Sequence, residues 1–329
     1  MSVRVLEYIR DPIGVWNLPA AQLERLRGDF PGVRFDSPAT REEANAILAE
    51  ADVVCGYAVT PANFALAKRL RWIHVAAAGV GGVLFPELIA SEVALTNGRG
   101  LHAVAMAEHA LAVMLSFVRK LHLARDAQHE KRWAQRALLE GPPEFGELAG
   151  GTLGLVGLGR AGSAIAVRAR ALELHVIALR RHPVDPPDPA HQQWGTERLG
   201  ELCERADWLV LAAALTPVSR SLIGARELAR MKRHAVLVNL GRGGLVDEPA
   251  LIEALASGRI AGAALDVTEE EPLPAASPLW TLENVILTPH VSGLGPRYWE
   301  RATDLFARNL RAFLKGEPLE NVVDKRAGY

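Results

Sequence analysis

Three short segments carry side chains suited to gripping an anion and moving a proton: Asn239-Leu-Gly-Arg242-Gly243, Asp266-Val-Thr-Glu-Glu-Glu271-Pro272 and Thr288-Pro-His290. A guanidinium presents a planar fork of donors that matches a carboxylate or a polarised carbonyl oxygen, a geometry that lysine reproduces poorly. An imidazole titrates near neutrality, so it can give a proton to an oxygen and take it back. A carboxylate bonded to that imidazole orients the ring and favours its charged form. Taken singly, Arg242, Glu271 and His290 would pass for a surface arginine, a solvated acid and a packed histidine. As an ordered trio behind a nucleotide loop they read as one catalytic set.

That loop is Gly157-Leu-Gly159-Arg160-Ala161-Gly162, which follows the apolar run Leu153 to Val156 and opens a helical stretch. The context matters more than the glycines themselves. Gly157 permits a tight turn, Gly159 lets backbone approach a pyrophosphate, and Gly162 lets the helix pack closely, with the amides of Arg160 and Ala161 aimed at the ligand. A site for NAD would place an acidic residue about twenty positions on, to accept from the ribose 2′-hydroxyl. Here the strand-like His175-Val-Ile-Ala-Leu179 ends in Arg180-Arg181 instead. Two guanidinium groups suit the 2′-phosphate of NADP, so NADP(H) is the expected cofactor and NAD(H) the alternative.

The elements that must position these groups alternate along the chain. Val3 to Tyr8, Val33 to Phe35, Val53 to Cys55, Trp72 to Ala76 and Val93 to Asn97 read as strands, separated by helices at Ala20 to Asp29, Arg41 to Glu50 and Pro61 to Leu70. A long helical pattern runs from about Ala103 to Arg125. From Gln128 to Leu148, with Gly141-Pro-Pro143, periodicity is poor, which predicts an excursion suited to meeting a partner subunit. Strands then recur at Thr152 to Val156, His175 to Leu179, Trp208 to Leu211, Ala235 to Asn239, Gly262 to Asp266 and Val285 to Thr288, with a helix at Ser163 to Leu172. An amphipathic helix over Pro296 to Leu314 is expected to pack back on the first half. Such alternation predicts an α/β protein of two Rossmann-like domains, each a doubly wound parallel sheet, with a cleft between them. The three chemical patches follow predicted strands, where open α/β sheets bind ligands.

Together these motifs resemble the D-isomer-specific 2-hydroxyacid dehydrogenase family, in particular its glyoxylate and hydroxypyruvate reductases. The likeness extends to Ala107-Glu-His109, Leu215-Thr-Pro217 and the ending Pro318-Leu-Glu-Asn-Val-Val323. It implies a substrate domain of residues 1–98 plus 294–329, a dinucleotide-binding domain of 99–293, and a homodimer formed through the latter. It further implies that Arg242 holds the substrate, that His290 exchanges the proton, and that Glu271 positions the imidazole. By the same likeness Asp266 and the backbone at Leu240 meet the nicotinamide end of the cofactor, and Thr216 its ribose and phosphates. Backbone amides of Ala78, Gly79 and Val80 receive the substrate carboxylate. The chain departs from the family in having Gly81-Gly82 where an aspartate is common, which leaves the pocket shape open, and Ala214 where a proline is common. Glu271 stands where formate dehydrogenases of the wider family carry glutamine, which argues against formate. Glu108 and His109 read as packing and interdomain hydrogen-bonding groups rather than catalysts. Trp280 and Arg297-Tyr-Trp299 read as packing groups with pocket walls as the alternative.

Composition narrows the function further. The 329 residues are 49% hydrophobic and 23% charged with a formal net charge of −1, and the arginines are scattered among carboxylates, so no nucleic-acid surface is expected. Charges in the first ten residues and Glu108-His109 within the apolar run leave no expected leader or membrane span, so a cytoplasmic protein is expected, and the resemblance implies a 2-keto or 2-hydroxy acid substrate. Cys55 and Cys203 lack metal or disulfide spacing and read as core thiols. A cofactor-sensing, corepressor-like interaction protein of the same fold is the competing reading.

Overall fold

The computed structural model describes residues 2–141 and 144–328. In chain order the elements begin with β1 (Arg4–Tyr8), α1 (Ala20–Asp29), β2 (Arg34–Asp36), α2 (Arg41–Leu48), β3 (Val53–Gly56), β4 (Trp72–Val75), α3 (Pro86–Ala90) and β5 (Ala94–Asn97). There follow α4 (Ala103–Val118), α5 (Leu121–His129), α6 (Gln135–Glu140), β6 (Thr152–Val156), α7 (Arg160–Ala171), β7 (His175–Leu179) and β8 (Gln192–Trp194). The remainder comprises α8 (Leu199–Arg205), β9 (Trp208–Leu211), α9 (Ala225–Arg230), β10 (Val236–Asn239), α10 (Glu248–Ala256), β11 (Gly262–Leu265), β12 (Val285–Leu287) and α11 (Tyr298–Lys315). They form two compact units, one of the residues up to Leu101 with those from Gly295 onward, the other of His102–Leu294.

In the first unit the strands lie in the order β2-β1-β3-β4-β5, every pair parallel. Alternate residues point to opposite faces of a strand, so a sheet buried on both sides needs apolar residues throughout. Leu6, Val54, Ile73 and Val75 fill one face with Leu48 of α2 and Leu88 of α3. Val5, Val53 and Trp72 fill the other with Leu26 of α1 and Leu305, Phe306 and Leu310 of α11. The last helix therefore belongs to the first unit, where Phe306 stacks on Trp72 at 5.2 Å between ring centroids. A capping box starts α2: Thr40 Oγ1 accepts from the Glu43 amide while Glu43 Oε2 accepts from that of Thr40.

The second unit has the strand order β12-β11-β10-β9-β6-β7-β8, again parallel throughout. The two faces separate by residue parity. Leu153, Leu155, Val176, Val210 and Val238 pack under Ala110, Met114 and Phe117 of α4 and Ile165 of α7. Ile177, Leu179, Leu209, Leu211 and Leu237 pack under Leu202 of α8, Leu228 of α9 and Leu251 of α10. Each such leucine or isoleucine removed from water contributes about 1.5–3 kcal/mol. Strand order reverses between β6 and β9, and the loops leaving those strands open the crevice in which sheets of this kind bind ligands.

Three sequence expectations change, and one strand was not expected. The helix expected over Pro61 to Leu70 is a single 3-10 turn, Phe64–Leu66, because Asn63 bonds the Thr60 amide and the Ala58 carbonyl and so competes with helical pairing. The long helix expected from Ala103 to Arg125 breaks at Lys120, whose φ of +53° separates α4 from α5. The excursion from Gln128 holds a helix, α6, while Pro142 and Pro143 lie outside the described residues. Strand β8 is too short and too polar to have shown alternation.

Lys120 explains how that segment is held. The side chain is 1% exposed, and its ammonium donates to the carbonyls of Leu138 and Gly141 at the end of α6 and lies 4.7 Å from the centroid of the Phe145 ring. A cation at a helix C-terminus satisfies carbonyls that the helix leaves unpaired. Lys120→Met is expected to cost about 1–3 kcal/mol, read from urea unfolding, and to speed proteolysis between His129 and Gly146. Unchanged stability and cleavage would show that the ammonium does not hold α6.

Candidate active site

The loops leaving the C-terminal ends of β6, β7, β9, β10, β11 and β12 carry the sequence-selected groups of the second unit along one edge of one sheet. The turn after β6 is built for close approach. Gly157 has φ +97° and lies against Ala212 and Ala213 of the neighbouring β9 loop; a Cβ at Gly162 would meet the Gly157 carbonyl at 2.0 Å. Gly159 is exposed and open, and α7 starts directly after it with no capping side chain and no acid in its first turn. These features fit a dinucleotide pyrophosphate, with the amides of Arg160 and Ala161 and the positive end of α7 facing it.

Arg180 and Arg181 follow β7, and the Arg180 amide donates to the Trp194 carbonyl of β8, which fixes where the pair leaves the sheet. After β9, the Thr216 amide and hydroxyl both bond the Ser219 hydroxyl, at 2.8 and 3.1 Å. Leu240 is buried, its side chain in the core and its amide bonded to the Leu211 carbonyl, so only its backbone is available to a ligand.

Arg242 leaves β10 in an extended conformation, and its Nη1 donates to the Gly241 carbonyl at 2.7 Å. Asn239 braces the same turn from both sides, accepting from the Gly241 amide and donating to the Arg242 carbonyl. At Gly243 a Cβ would fall 1.9 Å from the Thr268 carbonyl oxygen. Only glycine allows that approach, which seats the Arg242 turn against the loop that carries Glu271. Arg220 and Glu269 pair across the same place at 3.0 Å, both beside Gly244.

Glu271 and His290, from the loops after β11 and β12, meet directly: Nδ1–H of the imidazole donates to Oε2 at 2.6 Å. The pair is partly exposed, so a ligand can reach the ring. His290 has φ +54°, a left-handed conformation that costs a side-chain-bearing residue about 1–3 kcal/mol unless its surroundings impose it. Asp266 imposes it. Its carbonyl accepts from the His290 amide at 2.8 Å, Oδ1 accepts from the Thr288 hydroxyl at 2.6 Å and the Val291 amide at 2.9 Å, and Oδ2 from the Ser292 amide at 3.0 Å. Burial pushes this carboxyl up, but the donors of Ser292, Thr288 and Val291 outweigh it and hold the pKa below the ordinary aspartate value. The bonds that the Asp266 carboxylate and carbonyl accept come from the His290 loop, while its amide donates to the Asn239 carbonyl, a bracing role that its position at the end of a strand did not announce.

Other selected residues sort differently. Ala78 and Gly79 lie exposed in the loop after β4 of the first unit, whereas the Val80 side chain is core and offers only backbone. The Ala78 carbonyl accepts from Asn97 Nδ2 at 2.7 Å, which steadies this loop. Glu108 and His109 were expected to bond between domains, but Glu108 lies 4.0 Å from Arg168 of α7 and His109 bonds Thr288, partners that both belong to the second unit. Tyr298 is buried and donates to the Ala76 carbonyl, Trp299 donates to the Val15 carbonyl, and Trp280 donates to the Pro274 carbonyl. The bracing roles of Asn239, Ser219 and the Arg220–Glu269 pair escaped the sequence reading, because bracing of this kind leaves no spacing signal.

Among the described residues no helix is long and apolar enough to cross a membrane. Cys55 and Cys203 are buried free thiols, and burial pushes that of Cys203 up to about 12.

Comparison with known proteins identifies the family. Residues 111–292 match the family model for the D-isomer specific 2-hydroxyacid dehydrogenase, NAD binding domain. The chain is 36% identical over 291 residues to D-3-phosphoglycerate dehydrogenase of Methanocaldococcus jannaschii, a match covering 87% of this chain and 54% of that longer one. It is 34% identical over 270 residues to glyoxylate reductase of Korarchaeum cryptofilum, covering 80% and 78% of the two chains. The solved structure of an NADPH-dependent glyoxylate/hydroxypyruvate reductase from Sinorhizobium meliloti, in complex with NADP and sulfate, superposes with a TM-score of 0.82 at 27% identity over 99% of this chain and all of that one. This chain belongs to the D-isomer specific 2-hydroxyacid dehydrogenase family and is an NAD(P)-dependent oxidoreductase.

Proposed function

We propose that the protein is an NADP(H)-preferring reductase of small 2-keto acids, reversible toward the D-2-hydroxy acids, with Arg242, Glu271 and His290 as its catalytic residues. The observation that carries this is the 2.6 Å bond between Glu271 and His290 on the sheet edge that also holds the Gly157 turn and Arg242. A bound nicotinamide supplies the hydride. With Nδ1 of His290 committed to Glu271, the proton that moves sits on Nε2, which gives it to the carbonyl oxygen in reduction and takes it back in oxidation. The carboxylate partner stabilises the imidazolium that donates. Arg242 has Nη1 tied to Gly241, which leaves Nη2 and Nε to hold the substrate carboxylate and the oxygen on which charge develops.

In this reading Gly157, Gly159, Arg160, Ala161 and Gly162 cradle the pyrophosphate, Arg180 and Arg181 take the 2′-phosphate, Thr216 meets the ribose side, and Leu240 and Asp266 frame the nicotinamide end. The amides of Ala78, Gly79 and Val80 receive the substrate carboxylate. We place the enzyme in the cytoplasm, with which its two unpaired buried thiols accord. We also propose a homodimer through the second unit, whose α5–α6 segment exposes Leu121, Trp133 and Leu139, apolar surface that a second copy would cover. Neither nucleic acid nor membrane is proposed as a partner.

Steady-state oxidation of NADPH and NADH against glyoxylate, hydroxypyruvate, pyruvate and phenylpyruvate tests the activity. Turnover with at least one acid is expected, and Arg242→Lys and His290→Gln are each expected to lower kcat roughly a hundred-fold or more with little change in cofactor affinity. Cofactor binding without turnover, or near-normal rates in either variant, would overturn the assignment. Arg180→Asp is expected to move preference from NADPH toward NADH, by about ten-fold or more in the ratio of kcat/KM values. An unchanged ratio would place that side chain away from the 2′-phosphate.

A further inference from the structure

The short loop that presents His290 is gripped at both ends by the start of one helix. We infer that His102 and His109 of α4 are positioning residues for proton transfer, clamping Gly293 and Thr288. The inference rests on the reading of His290 as the proton donor. His102 caps α4 and His109 lies seven residues further on, about two helical turns, so the two rings project from the same face. At the head of the loop, the Thr288 hydroxyl spends its one proton on Asp266 Oδ1 at 2.6 Å and so accepts from His109 Nε2–H at 3.1 Å. At the tail, the Gly293 carbonyl can only accept, so His102 donates from Nδ1 at 2.9 Å. The partners thus assign opposite tautomers to the two rings.

Asp266 holds the middle of the loop through the amides of Val291 and Ser292, and the histidines hold its ends. Three anchors across six residues account for a non-glycine residue kept at φ +54° in front of its carboxylate partner. Burial lowers the pKa of both histidines. Each therefore stays a neutral donor at neutral pH. For His102 this has a second use: Arg242 and His290 are close enough to disfavour a charge on it, and a neutral ring adds no repulsion to a protonated His290.

The test compares variants that keep the donor with variants that lose it. Glutamine at 109 places an amide N–H where Nε2 stood, and asparagine at 102 does so for Nδ1, whereas phenylalanine keeps the ring and removes the donor. With NADPH and glyoxylate, His109→Phe and His102→Phe are each expected to lower kcat roughly ten-fold, with KM and the NADPH Kd held within about two-fold. His109→Gln and His102→Asn should recover most of the loss, a rescue that lost packing alone would not give. Amide exchange at Val291 and Ser292 should be faster in the phenylalanine variants than in the rescued ones. Where a phenylalanine variant does not fold, alanine replaces it, with the same pattern expected.

His290→Gln is run alongside. Wild-type kcat in folded His109 and His102 donor-free variants, beside an inactive His290→Gln, would overturn the clamp and leave the catalytic reading standing. Full activity in His290→Gln would overturn the catalytic reading, and the clamp with it.

Discussion

The site depends on holding one imidazole in a backbone conformation it would not choose. His290 sits at φ +54°, and what keeps it there is the buried carboxylate of Asp266, accepting from the groups on either side of it. A buried carboxylate is costly unless its lone pairs are filled, and here the loop that carries His290 fills them. Folding of the second unit and presentation of Nε2 are therefore one energetic event. If the loop relaxed, a buried charge would lose its donors, so the orientation of the ring is protected by the stability of the sheet.

Parallel topology supplies the rest. Because each strand in the second sheet points the same way, every loop that leaves a C-terminal end opens on one edge, and six of them bring residues from Gly157 to His290 into one row. Glycine approaches then set the spacing: Gly162 against the phosphate turn, Gly243 against the Thr268 carbonyl. The resulting order along the edge runs from the arginines after β7, through the glycine turn, to Arg242, Glu271 and His290. Under the proposed function, that is the order in which an extended dinucleotide would present its 2′-phosphate, pyrophosphate and nicotinamide.

Much of this was legible in the sequence because it is carried by period and by residue type. Strands buried on both faces gave continuous apolar runs, and most were placed within a residue or two, as at Thr152–Val156 and His175–Leu179. The pairing of Glu271 with His290 was an implication of the family resemblance, carried by the order of the motifs. What escaped depends on bonds between residues remote in sequence. His102 meets Gly293 across 191 positions and His109 meets Thr288 across 179, and no periodicity records either. Local competition also defeated propensity. Asn63 drew backbone groups away from a helix that Pro61 to Leu70 otherwise suggested, and Lys120 ended α4 to reach carbonyls about twenty residues on. Asp266 was assigned to the cofactor end by likeness, and the hold of its carboxylate on the neighbouring loop had no signal in the sequence.

The most direct measurement is a single-turnover stopped-flow record of NADPH oxidation by glyoxylate in the wild-type protein and in Glu271→Gln. An amide in place of the carboxylate keeps the shape beside His290 and removes the charged acceptor of its Nδ1–H. NADPH should bind both proteins alike, and the first turnover of the variant should be slower by roughly a hundred-fold. A first turnover as fast as that of the wild type would contradict a mechanism in which this carboxylate prepares the imidazole to donate.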